Sequence, residues 1–292
     1  IVEFHLVTRR KPNPDKKWWA VTYVQNPEPM VESTFDVKVP SGTNLRYTAP
    51  GLANLAPEKS VDGSWDRYFW RVKALPPYQG EPLAPNSLNS MQRIEVSNFD
   101  SWTELRSWFE KGWVAATAPT EKIKAQAADL YPADATPEAR AQAITAWVAK
   151  KRILQMTAED LQPRPSEQLL GEEVVTPLDG AGLTASLLQA AGIKVQPVLA
   201  LELPSDRLVG QLPRANRVNQ VLLKVTAGNH VWWLDSEHVA ELQETPPSGF
   251  LGTGALLGDS EANVFVNLPN TDAETNRQES QVEAQVDKDG KA

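Results

Sequence analysis

The sequence predicts an α+β protein in two parts. An N-terminal antiparallel β-sandwich-like domain is followed by a mixed domain in which a central helix packs on an antiparallel sheet. Three observations carry this. Up to about residue 100 the apolar residues come in short aromatic and β-branched runs broken by Pro and Gly. At residue 101 the period changes to that of a helix, and after Thr176 a strongly apolar helical pattern leads into three strand patterns. The 292 residues suffice for two domains of ordinary size, placed by these signals at 1–115 and 116–257, with 258–292 as a linker and possible start of a further β-domain.

In the first part, Lys17–Asn26, Phe35–Pro40, Trp65–Lys73 and Gln92–Ser97 read as strands. Alternation along Trp65–Val72 puts Asp66, Tyr68, Trp70 and Val72 on one face and Trp65, Arg67, Phe69 and Arg71 on the other. The stretch Pro76–Pro85 reads as a loop.

The helices announce themselves by their starts. Ser101 with Glu104 has the capping-box spacing; Trp102, Leu105 and Phe109 share one face, and Gly112 is expected to close a short helix over 101–111. A second helix is predicted from Thr120 to Leu130. A third begins with Thr136 as N-cap and Pro137 in the first turn, with Ile144, Trp147 and Val148 as its buried stripe. Thr176-Pro177-Leu178-Asp179 repeats that start: a hydroxyl cap, a proline whose missing N–H costs nothing there, and an acid facing the helix dipole. Leu183, Leu187, Leu188 and Ala191 form the apolar face and Gly192 the stop. Strands follow at Val195–Leu203, Val218–Thr226 and His230–Leu234, the last two joined by the tight turn Gly228-Asn229. Beyond about residue 270 the chain is polar and acidic.

Composition narrows the function. With 37 acidic and 29 basic residues the net charge is −8, which argues against a nucleic-acid binder. No apolar run reaches the length of a membrane span. Ile1 opens directly into strand-like sequence, as expected of a mature form or a fragment. There is no cysteine, so disulfides, zinc–thiolate sites and thiol nucleophiles are all excluded. The three histidines, His5, His230 and His238, leave little material for a triad or a multi-histidine metal site.

The order of motifs resembles the transglutaminase-like, papain-type proteins of bacteria. Members of that family carry a stretch similar to GDCKDKAxLLxxLLRAAGI, a strand similar to FNHxxxxV and a motif similar to YWLDPT. Here the corresponding segments are Thr176–Ile193 (TPLDGAGLTASLLQAAGI), Val218–Val225 (VNQVLLKV) and Trp232–Ser236 (WWLDS). The alignment sets Pro177 in the place of the cysteine, Gln220 in that of the histidine, and Asp235 on the aspartate. Upstream, Val96-Ser97 and Ser101–Phe109 (SWTELRSWF) resemble the end of the β-rich DUF3857 type of domain that often precedes this core. Pro163–Leu170 (PRPSEQLL) resembles the loop before the nucleophile, and Leu268-Pro269 the linker to a further β-domain.

The resemblance implies a papain-type mechanism: a thiolate at a helix N-terminus, a histidine to activate it, and a carboxylate to orient the histidine. Proline supplies no nucleophile, and glutamine is no base near neutral pH. The expectation is therefore a degenerate triad, Pro177, Gln220 and Asp235, with no catalysis, no cofactor and no metal. A protein or peptide partner is expected instead, with Asp179, Trp232 and Trp233 as candidate contacts, in the bacterial periplasm or outside the cell. Two alternatives stand beside it. One is a hydrolase built around Asp179, Asp235 and His230; the other is a glycan-binding surface formed by Trp18, Trp19, Trp65 and Trp70, for which core packing is the ordinary reading. A metal site from His230, His238 and Asp235 is weighed against solvent-facing histidines, and Asp179 against a plain cap. Ser186 lies mid-helix with no base in view.

Overall fold

The computed structural model describes residues 15–80, 91–154, 161–201, 211–236, 242–257, 265–272 and 279–283. His5 and His238 lie outside the described residues. The chain is α+β, with four α-helices and several antiparallel sheets among those residues.

Among the described residues the N-terminal part holds the strands β1 (Trp19–Tyr23), β2 (Met30–Pro40), β3 (Arg46–Thr48), β4 (Glu58–Asp62), β5 (Trp65–Leu75) and β6 (Arg93–Ser97). They form two three-stranded antiparallel sheets, ordered β1-β6-β3 and β2-β5-β4. Alternation explains why the sheets meet. Val37 and Val39 of β2, Trp70 and Val72 of β5, and Ile94 and Val96 of β6 all turn inward to one core, with Val24 and Leu45. Trp70 is its centre, stacked on Phe35 at 5.6 Å and edge-on to Tyr47 at 5.6 Å. On the outer face of β5 the guanidiniums of Arg67 and Arg71 lie 5.1 and 5.3 Å from the Phe69 ring. Strands β3 and β4 have no sequence signature. β4 (EKSVD) is exposed along its length, and its extended state comes from pairing with β5.

The four helices are α1 (Trp102–Thr117), α2 (Glu121–Ala128), α3 (Pro137–Val148) and α4 (Pro177–Ala190). Each begins at a hydroxyl cap: Ser101, Thr120, Thr136 and Thr176 accept from the backbone N–H three residues on. One expectation fails. α1 does not stop at Gly112 but runs through it for 16 residues, until Ala118, held extended before Pro119, ends it. Gly112 is there for room: a methyl group at that position would sit 1.4 Å from Gln162 Oε1. The Gln162 amide crosses this gap to donate to the Trp108 carbonyl at 3.4 Å.

A short parallel pair, β7 (Arg152–Ile153) and β8 (Val174–Val175), precedes α4. The second large sheet comprises β9 (Lys194–Leu201), β10 (Val218–Ala227), β11 (His230–Asp235), β12 (Gly254–Leu257) and β13 (Phe265–Asn267), antiparallel in the order β11-β10-β9-β12-β13. β13 carries this sheet past residue 257, into the stretch expected to be linker. Gly192, at φ 76°, ends α4 and turns the chain straight into β9; Gly228, at φ 59°, makes the two-residue turn between β10 and β11.

Both faces of this sheet are covered. Leu199, Leu201, Val221, Leu223, Val225 and Leu234 pack with Leu183, Leu187 and Leu188 of α4 in the largest core. Each of these leucines stabilises the fold by about 1.5–3 kcal/mol through burial. The other face joins Val198, Ala200, Leu222, Trp233, Ala255 and Leu268. Among the described residues no helix is long and apolar enough to cross a membrane.

Candidate functional site

The head of α4 is assembled from four local signals. Thr176 Oγ1 accepts from the N–H of Asp179 at 3.2 Å, and Pro177 occupies the first turn, half-buried, where no hydrogen bond is lost. Asp179 is 4% exposed, and both its carboxylate oxygens accept from Arg164: one from the backbone N–H at 2.8 Å, the other from Nε at 2.8 Å. Ser166 Oγ donates to the Gly182 carbonyl at 3.1 Å, fixing the same loop further along the helix. Asp179 is thus the clamp that fastens the 163–166 loop to α4. Its carboxylate serves as an anchor, and the cap of α4 is Thr176.

Gln220 and Asp235 come together across β10 and β11. Asp235 stands opposite Leu222, and Gln220 lies two residues earlier on β10, so alternation puts both side chains on one face. Gln220 Nε2 donates to Asp235 Oδ1, and both residues are half-buried. The register of β10 shifts between Val218 and Gln220, and this irregularity sets the side of the sheet on which Gln220 emerges. That side is the one shared with Ala200 and Leu222, away from the face that α4 covers. The structure thus brings Gln220 and Asp235 together, while Pro177 heads α4, whose leucines pack on the other face.

The remaining candidates separate. On β11 His230, Trp232 and Leu234 alternate with Val231, Trp233 and Asp235, so His230 and Asp235 point to opposite faces. His230 is exposed and stacks on Trp232, with ring centroids 5.4 Å apart and planes within 7°. Trp232 is half-buried, its ring against the main core. Trp233 is a residue of the core on the other face of the sheet. It is 5% exposed, and its backbone is bonded to Gln243 in both directions, at 2.7 and 3.0 Å. Among the described residues no three His, Asp or Glu side chains gather as a metal site would require. The four tryptophans considered for a glycan platform divide likewise: Trp70 is buried, Trp19 packs against Phe99 and Trp108, and Trp18 and Trp65 are partly exposed. Ser186 is fully buried, its Oγ without a partner, and no base reaches it.

Sequence reading passed over Arg164. Its partner Asp179 was visible as a helix-start acid, but nothing local says that a guanidinium fifteen residues upstream will claim it.

No protein-family profile and no curated protein sequence matches this chain. Among solved structures it is similar to a candidate protease from Parabacteroides distasonis, with a TM-score of 0.60 and 16% identity over 88% of this chain. The chain spans 56% of that protein's length. A candidate cysteine protease from Cytophaga hutchinsonii aligns with 76% of this chain and 80% of its own at 9% identity and a TM-score of 0.34. The first of these shows a shared fold.

Proposed function

We propose that this chain is a non-catalytic member of the papain-type, transglutaminase-like group, acting as a peptide- or protein-binding or scaffold module in the bacterial envelope or outside the cell. The observation that carries the reading is the bond from the Gln220 amide to Asp235. The carboxylate holds an amide in the place where the resemblance expects an imidazole, and an amide neither takes nor gives a proton near neutral pH. The nucleophile is missing too, since Pro177 heads the central helix and the chain has no cysteine. A hydrolase using His230 with Asp235 is disfavoured by their placement on opposite faces of β11. This reading leaves a scaffold with a helix-and-sheet core in which the positions matched to the cysteine and histidine hold no acid–base pair.

The test is direct. Purified protein assayed with glutamine amide donors and with unstructured peptides, from about pH 5 to 9, should show no transamidation, amidase or peptidase turnover. Turnover by the unmodified chain that disappears in Asp235→Asn or His230→Ala would overturn the reading.

A further inference from the structure

The two faces of β6 have different fates. Ile94 and Val96 lie in the sandwich core, whereas Arg93, Glu95 and Ser97 point the other way and are nonetheless buried, at 6%, 4% and 0% exposure. Trp19 of β1 stands opposite Ser97, and the segment leading into β10 closes over Glu95. From that segment Arg214, 4% exposed, sends Nη2 to Glu95 Oε1 at 2.8 Å, and Arg93 Nε reaches the same oxygen at 2.6 Å. Arg214 Nη1 also donates to Asn216 Oδ1 at 2.9 Å, while its Nε is buried with no partner. One carboxylate therefore serves two desolvated guanidiniums. Trp102 Nε1 also ties the segment to the start of α1, donating to the Gln211 carbonyl at 3.2 Å, and within the segment Arg217 Nη2 donates to Gln211 Oε1 at 3.0 Å.

We propose that Arg93, Glu95 and Arg214 form a charge-conditional latch that docks the β-sandwich on residues 211–217 and so sets the start of β10. Three features support it. The sandwich core and the main core around α4 are separate clusters bridged by Trp19 of β1, which packs against Phe99 and Trp108, so the ionic face is a second joint beside that apolar one. The docked face of β6 is ionic, and once hydrated its groups lose the penalty of burial. Finally, docking depends on the Glu95 charge: without that anion the buried Arg214 guanidinium would lose the carboxylate it meets out of water. The segment runs directly into Val218 and the register shift before Gln220, so the latch bears on the same end of β10 that carries the Gln220–Asp235 pair.

Among the described residues, these charged and titratable groups face Glu95. Arg93 shares its strand, Arg214 comes from the docked segment, Val21 and Thr48 stand opposite it on β1 and β3, and Tyr23 stands opposite Arg93. Arg46, opposite Ser97, is engaged with the Asp100 carbonyl. Burial pushes the Glu95 carboxyl up, but Arg214 and Arg93 together hold it below its ordinary value. The latch is thus closed at neutral pH.

Amide hydrogen exchange on the whole chain tests this. In Glu95→Gln, which keeps the side chain's shape and removes its charge, protection of residues 211–220 should fall by about tenfold or more, with Trp65–Leu75 and Pro177–Ala190 unchanged. Arg214→Met leaves Glu95 with Arg93 as a neutral pair, a milder change, and should release the same segment. Unaltered protection of 211–220 in either folded variant would overturn the latch. So would a uniform loss across both cores in Arg214→Met, because the cluster would then be holding the fold together rather than a joint.

Discussion

Strands β5 and β6 follow the same period of two and use it for opposite ends. In β5 the apolar face meets the sandwich core, and the charged face, Arg67 and Arg71 around Phe69, meets water. Its ion pair with Asp36 is well formed, with Arg67 Nη2 2.8 Å from Oδ2, yet both side chains are more than a third exposed. In β6 the apolar face meets the same core, but the charged face is covered by residues 211–217, and the Glu95 side chain is 5% exposed. The lesson is that an alternating charged strand reports which residues leave the core. It does not report whether water or another part of the chain awaits them. Buried, a charge becomes a constraint with one satisfactory partner set; exposed, it contributes little.

The largest effect should follow from breaking the buried case. Glu95→Ala removes the carboxylate between Arg93 and Arg214 and should lower the free energy of opening of residues 211–217 by roughly 3–5 kcal/mol in native-state amide exchange. A loss within the range of surface substitutions would mean that water reaches the cluster. The pH dependence has a defined sign. Because the folded Glu95 carboxyl titrates below its ordinary 4.5, its contribution is fully present above that value and is lost as pH falls through the lower folded value. Glu95→Gln should flatten that acid limb of the stability curve relative to the unmodified chain.

Asp179 gives an intermediate case, a buried carboxylate whose partner Arg164 is half-exposed. Asp179→Ala should cost about 1.5–3 kcal/mol and loosen the 163–166 loop, which exchange of the Arg164 amide would report. On the exposed side, Asp36→Asn should leave the unfolding midpoint within experimental scatter, and added salt should change it no more than it changes the parent. A clear loss there would erase the contrast between the two strands.

The last test concerns alternation itself. Because the chain has no cysteine, Pro177→Cys with Gln220→Cys makes a clean two-point ruler. Gln220 faces away from the side of the sheet that α4's leucines cover, so the two Cα atoms should lie beyond the roughly 7 Å that a disulfide tolerates and mild oxidation should leave both thiols free. Pro177→Cys with Gln220→His should, for the same reason, give at most weak turnover. Ready disulfide formation would bring the head of α4 round to the Asp235 pair.

Sequence alone determined the elements whose causes are local. Hydroxyl caps at 101, 120, 136 and 176, Pro137 and Pro177 in first turns, and the Gly192 and Gly228 turns are each decided by the residues beside them. The pairing of Gln220 with Asp235 was within reach as well, because a two-residue turn dictates the register of β10 on β11. Tertiary structure decided the rest, because the partner lies far along the chain. β4 is a strand because β5 lies beside it, and Gly112 lies inside a helix because Gln162 needs its space. Asp179 is an anchor because Arg164 reaches it, and Glu95 is buried because Arg214, 119 residues away, closes over it. Local chemistry settles how the backbone turns. Burial belongs to the packed whole, and burial determines whether a carboxylate is a solvated surface group, a clamp or a latch.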